Sequence, residues 1–198
     1  MNGAVMEENR SVLRRQALSR RGSLSPANCR EWSRLVQARA VKLPQYLTAD
    51  FVVLYSPVQN EVETEVLRDH GLVEGKKVFY PKLAEQDAPV FVRIYSHADL
   101  LPGQFGIPEP VGPTSLLPAD CDRLAVFIPG VLFDHHGYRL GRGGGWYDRA
   151  LSRLGNRGVF VGLAYETQIV ETLPTESWDQ KVHYIITEDR VIDCGKKP

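Results

Sequence analysis

The chain has 198 residues, 43% hydrophobic and 24% charged, which excludes a disordered polypeptide and leaves little room for two full domains. Its 24 Lys and Arg balance 24 Asp and Glu, so no bulk field favours nucleic acid or an anionic membrane. The longest apolar runs, Phe51–Tyr55 and Leu124–Ile128, fall far short of the roughly 18–20 residues that span a bilayer. Residues 1–25 contain Glu7 and Glu8 and lack the apolar core of a signal peptide. Cys29, Cys121 and Cys194 lie far apart and form no CxxC, so they read as unreactive fillers. A reduced, cytoplasmic, single-domain protein over 1–198 is expected.

The charge is unevenly spread, with nine Lys and Arg against four Asp and Glu in residues 1–50. Residues 8–22 read as a helix with Leu13, Ala17 and Leu18 on a partial apolar face. On such a helix Arg10, Arg14 and Arg21 fall within about 40° of one another. The stripe reads either as a solvated face or as an anion-binding surface. Ser25-Pro26 supplies an N-cap and a first-turn proline for a second helix that Pro44 stops near Leu43.

Phe51–Tyr55 predicts a strand buried on both faces, followed by a short helix over Val62–His70 that Gly71 ends. Val78–Tyr80 and Val90–Tyr95 predict two more strands, and the Pro- and Gly-rich segment 96–123 a long ordered loop. Leu124–Ile128, Val159–Leu163 and Tyr184–Thr187 complete the strands. Helices are expected over 146–154 and near Thr167–Val170. Strands alternating with helices imply an α/β protein with a mainly parallel sheet covered on both faces.

Chemistry concentrates between Pro129 and Arg149. Four glycines in five positions, Gly141 and Gly143–Gly145, expose backbone N–H groups just before a helix start, a cradle for phosphate oxygens. Arg139 and Arg142 add fixed positive charge, and Asp148 lies where a carboxylate can hold magnesium. The run is neither a Walker A sequence nor a GxGxxG fingerprint, and tight packing is its bland alternative. Adjacent His135 and His136 precede Gly137 in a turn and make a poor metal pair.

The core Arg139-Leu140-Gly141-Arg142-Gly143-Gly144-Gly145-Trp146-Tyr147-Asp148 resembles the signature of the 5-formyltetrahydrofolate cyclo-ligase family. The similarity extends to Arg10…Leu13-Arg14, Glu61–Thr64, Tyr80–Lys82, Gly106–Pro110, Asp179 and Ile185–Glu188. It implies a three-layer α/β/α sandwich like those of ribose-phosphate isomerases and CoA-transferases. It also implies ATP- and Mg2+-dependent closure of 5-formyltetrahydrofolate to 5,10-methenyltetrahydrofolate. A monomer is expected, and the charge balance and short apolar runs leave no nucleic-acid or membrane partner expected. A paralogue that binds nucleotide or folate without closing the ring is the alternative.

Carried over residue by residue, the resemblance implies ATP contacts at Arg10, Arg14 and the run from Arg139 through Tyr147. Folate contacts would be Ser56, Glu61, Arg142, Gly143, Gly144, Gly145 and Trp146. Asp148 and Asp179 would lie at the magnesium, and Arg142, Trp146 and Asp148 would carry catalysis. Three positions depart from the pattern. Trp146 stands where the family usually has Tyr or Phe, Gly144 where some members have Lys, and His183 where many have a second acid.

Overall fold

The computed structural model describes residues 3–82, 90–103, 106–111 and 121–195. Helix α1 (Gly3–Gly22) begins five residues before the expected start. Helix α2 (Pro26–Ala40) is capped as its sequence predicts, with the Asn28 N–H donating to the Ser25 hydroxyl at 3.1 Å. It ends three residues short of Leu43, because Pro44 opens a separate one-turn helix, α3 (Pro44–Leu47). Strand β1 (Phe51–Val53) is shorter than predicted, although Leu54 and Tyr55 beyond it stay buried.

Helix α4 (Glu65–Val73) starts late and runs through Gly71. That glycine serves packing and does not terminate the helix: a Cβ there would lie 3.1 Å from Val78 Cγ2. Strands β2 (Lys77–Lys82) and β3 (Val90–Ile94) pair antiparallel. Within the segment expected to be loop, β4 (Leu100–Pro102) and β5 (Pro108–Pro110) form a hairpin, while residues 104–105 and 112–120 lie outside the described residues. Strand β6 (Leu124–Pro129) leads into β7 (Leu132–Asp134) and β8 (Arg139–Leu140), then α5 (Trp146–Leu154) and β9 (Gly158–Leu163). The chain closes with β10 (Ile169–Val170), β11 (Tyr184–Ile186) and β12 (Val191–Asp193).

The main sheet has the order β12-β11-β9-β6-β1-β2-β3. Its five inner strands are parallel, and antiparallel β12 and β3 close the edges. Alternation along the strands sorts the core into two layers. Val52, Val78, Phe127 and Val161 join residues of α2, α3 and α4 on one face. On the other face Val53, Val126, Ile128 and Phe160 pack against Ala150, Leu151 and Leu154 of α5. The result is the expected α/β arrangement, with helices on both sides of a mostly parallel sheet. A second small sheet, β10-β7-β8, is covered by α1 through Ala17 against Leu132 and Leu140. The chain leaves β1 toward β2 on one side and occupies β6 on the other, so their carboxyl ends bound a crevice at a topological switch point.

Candidate functional site

Three segments converge on that crevice. Beyond β1 the chain forms a strap from Ser56 to Glu61, whose Gln59 and Asn60 take φ of 48° and 58°. Beyond β6 comes the tight turn Pro129-Gly130-Val131, where a Cβ on Gly130 would lie 2.5 Å from the Phe133 ring. Between β8 and α5 the glycine loop crosses above both, with positive φ at Gly143 (106°) and at Gly145 (60°), the N-cap of α5. Together they enclose a cavity of about 310 Å³, to which the β5 residues Pro108 and Glu109 add a wall. A volume of that size suits a small-molecule site.

The charged side chains form two clusters. In the first, Glu61 is buried and its Oε2 accepts from the Val58 N–H at 3.1 Å. Its Oε1 faces Arg142 Nη2 at 3.3 Å and Arg21 Nη2 at 3.5 Å. Arg142 also donates from Nη1 to Gln59 Oε1 at 2.7 Å, crossing from the glycine loop to the strap. In the second, Asp148 Oδ1 accepts from Arg139 Nη1 at 2.9 Å and from the Gln180 N–H at 3.0 Å. Burial holds the Arg139 guanidinium below its ordinary pKa, opposed by the adjacent Asp148 charge. Tyr147 packs edge-on to Trp146, ring centroids 4.8 Å apart, and burial raises its phenol pKa far above the usual value.

The 5-formyltetrahydrofolate cyclo-ligase family profile matches residues 6–188. The chain belongs to that family. It is 33% identical to a Haemophilus influenzae 5-formyltetrahydrofolate cyclo-ligase, covering 87% of this chain and 94% of the relative. The Escherichia coli cyclo-ligase is 32% identical, over 87% of this chain and 96% of its own. Among solved structures, Aquifex aeolicus 5,10-methenyltetrahydrofolate synthetase superposes with a TM-score of 0.81 at 36% identity, covering 96% of this chain and 94% of that one. The synthetase of Mycoplasma pneumoniae gives 0.73 at 25% identity, covering 90% and 98%.

Against this cyclo-ligase pattern, the sequence-predicted residues fall into three groups. Ser56, Glu61, Arg139, Gly141, Arg142, Gly144, Gly145, Trp146, Tyr147 and Asp148 all line the one cavity. Ser56 Oγ donates to the Pro108 carbonyl at 2.5 Å, tying the strap to β5. Arg14 and Gly143 form a second group at the rim. Arg14 Nε donates to the Gly141 carbonyl at 2.9 Å, and its guanidinium lies 3.6 Å from where a Gly143 Cβ would be.

Arg10, Asp179 and Leu140 make up the third group, which does not line the cavity. Arg10 donates from both terminal nitrogens to Asp179, at 2.6 and 3.3 Å, and from Nη1 to the Pro174 carbonyl at 3.0 Å. Burial works against the Arg10 charge, but the hydrogen bond and charge of Asp179 outweigh it and raise the guanidinium pKa. An ATP contact at Arg10 and a metal contact at Asp179 would each require this pair to open. Leu140 turns its side chain into the core beneath α1, and its carbonyl accepts from the Val131 N–H at 2.7 Å. The hydrogen bond from Gln180 to Asp148 lies one residue beyond Asp179, so the Arg10–Asp179 pair anchors the segment that orients Asp148.

Two further residues complete the site beyond those assigned from the family motif: Glu109 lines the cavity, and Arg21 reaches it through Glu61, Gln59 and Gly130. The stripe spacing already placed Arg21 beside Arg10 and Arg14, and Glu109 lies in the Gly106–Pro110 motif. His183 takes no part: its Nδ1 accepts from the Phe160 N–H at 2.9 Å, and burial lowers its pKa. His136 sits in the β7–β8 turn, its N–H donating to Asp134 at 2.9 Å. Cys29 and Cys121 are buried, and burial pushes the Cys194 thiol up to about 12, as filler positions require.

Proposed function

We propose that this chain catalyses ATP- and magnesium-dependent cyclisation of 5-formyltetrahydrofolate to 5,10-methenyltetrahydrofolate, releasing ADP and phosphate. The single observation carrying the reading is the convergence of Glu61, Arg142, Trp146 and Asp148 on one cavity under a glycine loop that opens a helix. Transfer of the γ-phosphoryl group to the N5-formyl oxygen converts that oxygen into a leaving group. N10 then attacks the formyl carbon, the five-membered ring closes, N10 gives up its proton to water, and phosphate departs with the electrons of the C–O bond.

The chain's own groups suit these steps. Exposed N–H groups of Gly143–Gly145 and the positive end of α5 favour phosphate oxygens. Arg142 is exposed, so it could exchange Gln59 and Glu61 for a phosphoryl group that it can grip with two bonds. Glu61 accepts hydrogen bonds from pterin N–H donors, and the Trp146 ring supplies a flat stacking surface. Binding both substrates against the same glycine loop would hold the phosphoryl group in line with the formyl oxygen.

Asp148 fits a magnesium site. One of its oxygens is engaged by Arg139 and Gln180, and magnesium is commonly held by one or two carboxylates with phosphates and water completing the shell. When bound, the ion neutralises phosphate charge. Asp179 does not fit in this arrangement, since both its oxygens are held by Arg10 and Oδ2 also accepts from the Glu176 N–H. Among the described residues no helix is long and apolar enough to cross a membrane. Independently of that, the three cysteines without a CxxC carry our reading of 1–198 as one cytoplasmic catalytic domain, which we take to act as a monomer. The test is spectrophotometric: methenyltetrahydrofolate should form from 5-formyltetrahydrofolate only with both ATP and magnesium. Folate binding without turnover would replace the reading with a non-catalytic paralogue.

A further inference from the structure

Two arginines of opposite character hold Glu61. The Arg142 side chain is 39% exposed on a glycine-flanked loop, whereas that of Arg21 is 2% exposed in the last turn of α1. Every arm of the Arg21 guanidinium meets a different part of the site. Nε donates to the Gln59 carbonyl at 3.1 Å, Nη1 donates to the Gly130 carbonyl at 2.9 Å, and Nη2 faces Glu61 Oε1 at 3.5 Å. Asn60 returns the connection, donating from Nδ2 to the carbonyls of Arg21 and Leu24 at 3.2 and 3.4 Å. This clasp keeps Gln59 and Asn60 in the left-handed region, which residues other than glycine seldom occupy.

We propose that Arg21 is a positioning residue for the cyclisation, the fixed counter-ion that keeps the Glu61 carboxylate aimed at the folate when Arg142 turns to a phosphoryl group. The inference rests on the functional reading above. Its physical basis is that the two cations differ in freedom. Arg142 can find water or a phosphate on leaving Glu61, while Arg21 is enclosed and has no other acid to pair with among its contacts. Burial lowers the Arg21 pKa and the Glu61 charge opposes that shift, so each buried charge supports the other. Nη2 is also a buried nitrogen without a hydrogen bond, aimed at an oxygen that Arg142 shares. Departure of Arg142 frees that oxygen for it.

The experiment is a double-mutant cycle in steady-state kinetics, scaled to the folded fraction of each protein. Arg21→Lys keeps one charge but cannot reach the three partners together. It should lower kcat/KM for 5-formyltetrahydrofolate by roughly tenfold or more, leave the KM for ATP unchanged, and add nothing further in a Glu61→Gln background. Equal losses in both backgrounds, or an equal rise in the KM for ATP, would overturn the proposal. Asn60→Gly is the second probe, because glycine accepts the same backbone while the return bonds are lost. It should show a smaller effect of the same kind, again absent beside Glu61→Gln, and multiplicative losses would count against the role. Wild-type protein without any cyclisation would overturn the functional reading and this inference with it. Active wild-type protein with multiplicative losses would overturn the Arg21 role alone.

Discussion

The glycine loop and the strap face each other across the cavity, and they reach unusual backbone shapes by opposite means. Gly143 and Gly145 take positive φ because they lack side chains, and a Cβ on Gly141 or Gly144 would meet nothing within 4 Å. The strap takes positive φ at Gln59 and Asn60 without any glycine, held there by Arg21, by the Asn60 amide and by Glu61 bonding back to Val58. One loop is left adaptable by composition, while the other is fixed by contacts from a single buried arginine at a helix end. The pairing suits the proposed reaction, in which the phosphoryl group would move between partners while the folate must not. Substitutions on the two sides should therefore fail differently.

The largest effect is expected at Asp148, where loop and helix join. Asp148→Asn keeps an oxygen for the Gln180 N–H but removes the charge that faces Arg139 and that, in the proposed function, would hold magnesium. Turnover should fall by about 10²–10³, the usual scale for a lost electrostatic contact in a transition state. Arg139, almost fully buried, loses its counter-ion as well, and breaking such a pair costs about 3–5 kcal/mol. Chemical denaturation alongside kcat separates the two effects. A variant with near-normal kcat at ordinary magnesium would exclude Asp148 as an essential ligand.

Much of this was readable in the sequence, and the omissions have physical causes. The parallel strands announce themselves as runs such as Leu124–Ile128, because both their faces are buried. Strands β7, β8, β10 and β12 are two or three residues long, too short to display a period. Gly71 looked like a helix end because only Val78, outside the local sequence, requires its missing side chain. The cavity-lining residues of the Arg139–Asp148 motif were legible as a group, since one contiguous stretch builds a loop and a helix start. The Arg10–Asp179 pair was not, for two residues 169 positions apart can be matched only by the fold. The arginine stripe shows the same limit. Spacing put Arg10, Arg14 and Arg21 on one face but gave no sign that one is paired with Asp179, one grips the glycine loop and one clasps the strap.

Arg14 tests the glycine side at the next level. Arg14→Ala removes the cation beside Gly143 and the bond to the Gly141 carbonyl. Loss of one charge-assisted phosphate contact should weaken ATP by about 1.5–3 kcal/mol, roughly ten- to a hundredfold, with little change in folate affinity. Equilibrium titration with each substrate alone gives the comparison. Unchanged ATP affinity would return Arg14 to the role of a brace for the loop.

A smaller contrast sets the two backbones directly against each other. Gly143→Ala places a side chain at φ 106° and should cost about 1–3 kcal/mol in strain or in ATP binding. Gln59→Gly relieves left-handed strain while adding chain entropy to the unfolded state, terms of about 1 kcal/mol that largely cancel. Its denaturation midpoint should stay close to wild type, even though Arg142 loses the Gln59 oxygen. If Gly143→Ala were silent and Gln59→Gly strongly destabilising, the assignment of adaptable and fixed loops would be reversed.

The smallest expected effect concerns Trp146, where the glycine loop passes into α5. The ring lines the cavity and lies edge-on to Tyr147. If the aromatic acts by stacking and shape, Trp146→Tyr and Trp146→Phe should have nearly equal kcat, both close to wild type. Trp146→Ala marks the scale of the contact, raising the folate KM by the about 1–3 kcal/mol typical of a lost aromatic stack. A phenol that polarised the formyl group would act in the transition state alone and would raise kcat for Tyr over both Phe and Trp. Stacking is the expected outcome, since the indole covers more area than either ring and its N–H still offers one donor. The ratio of kcat for Tyr to that for Phe decides between them. A Tyr variant several-fold faster than Phe would mean that this chain lacks a hydrogen bond which stacking does not replace.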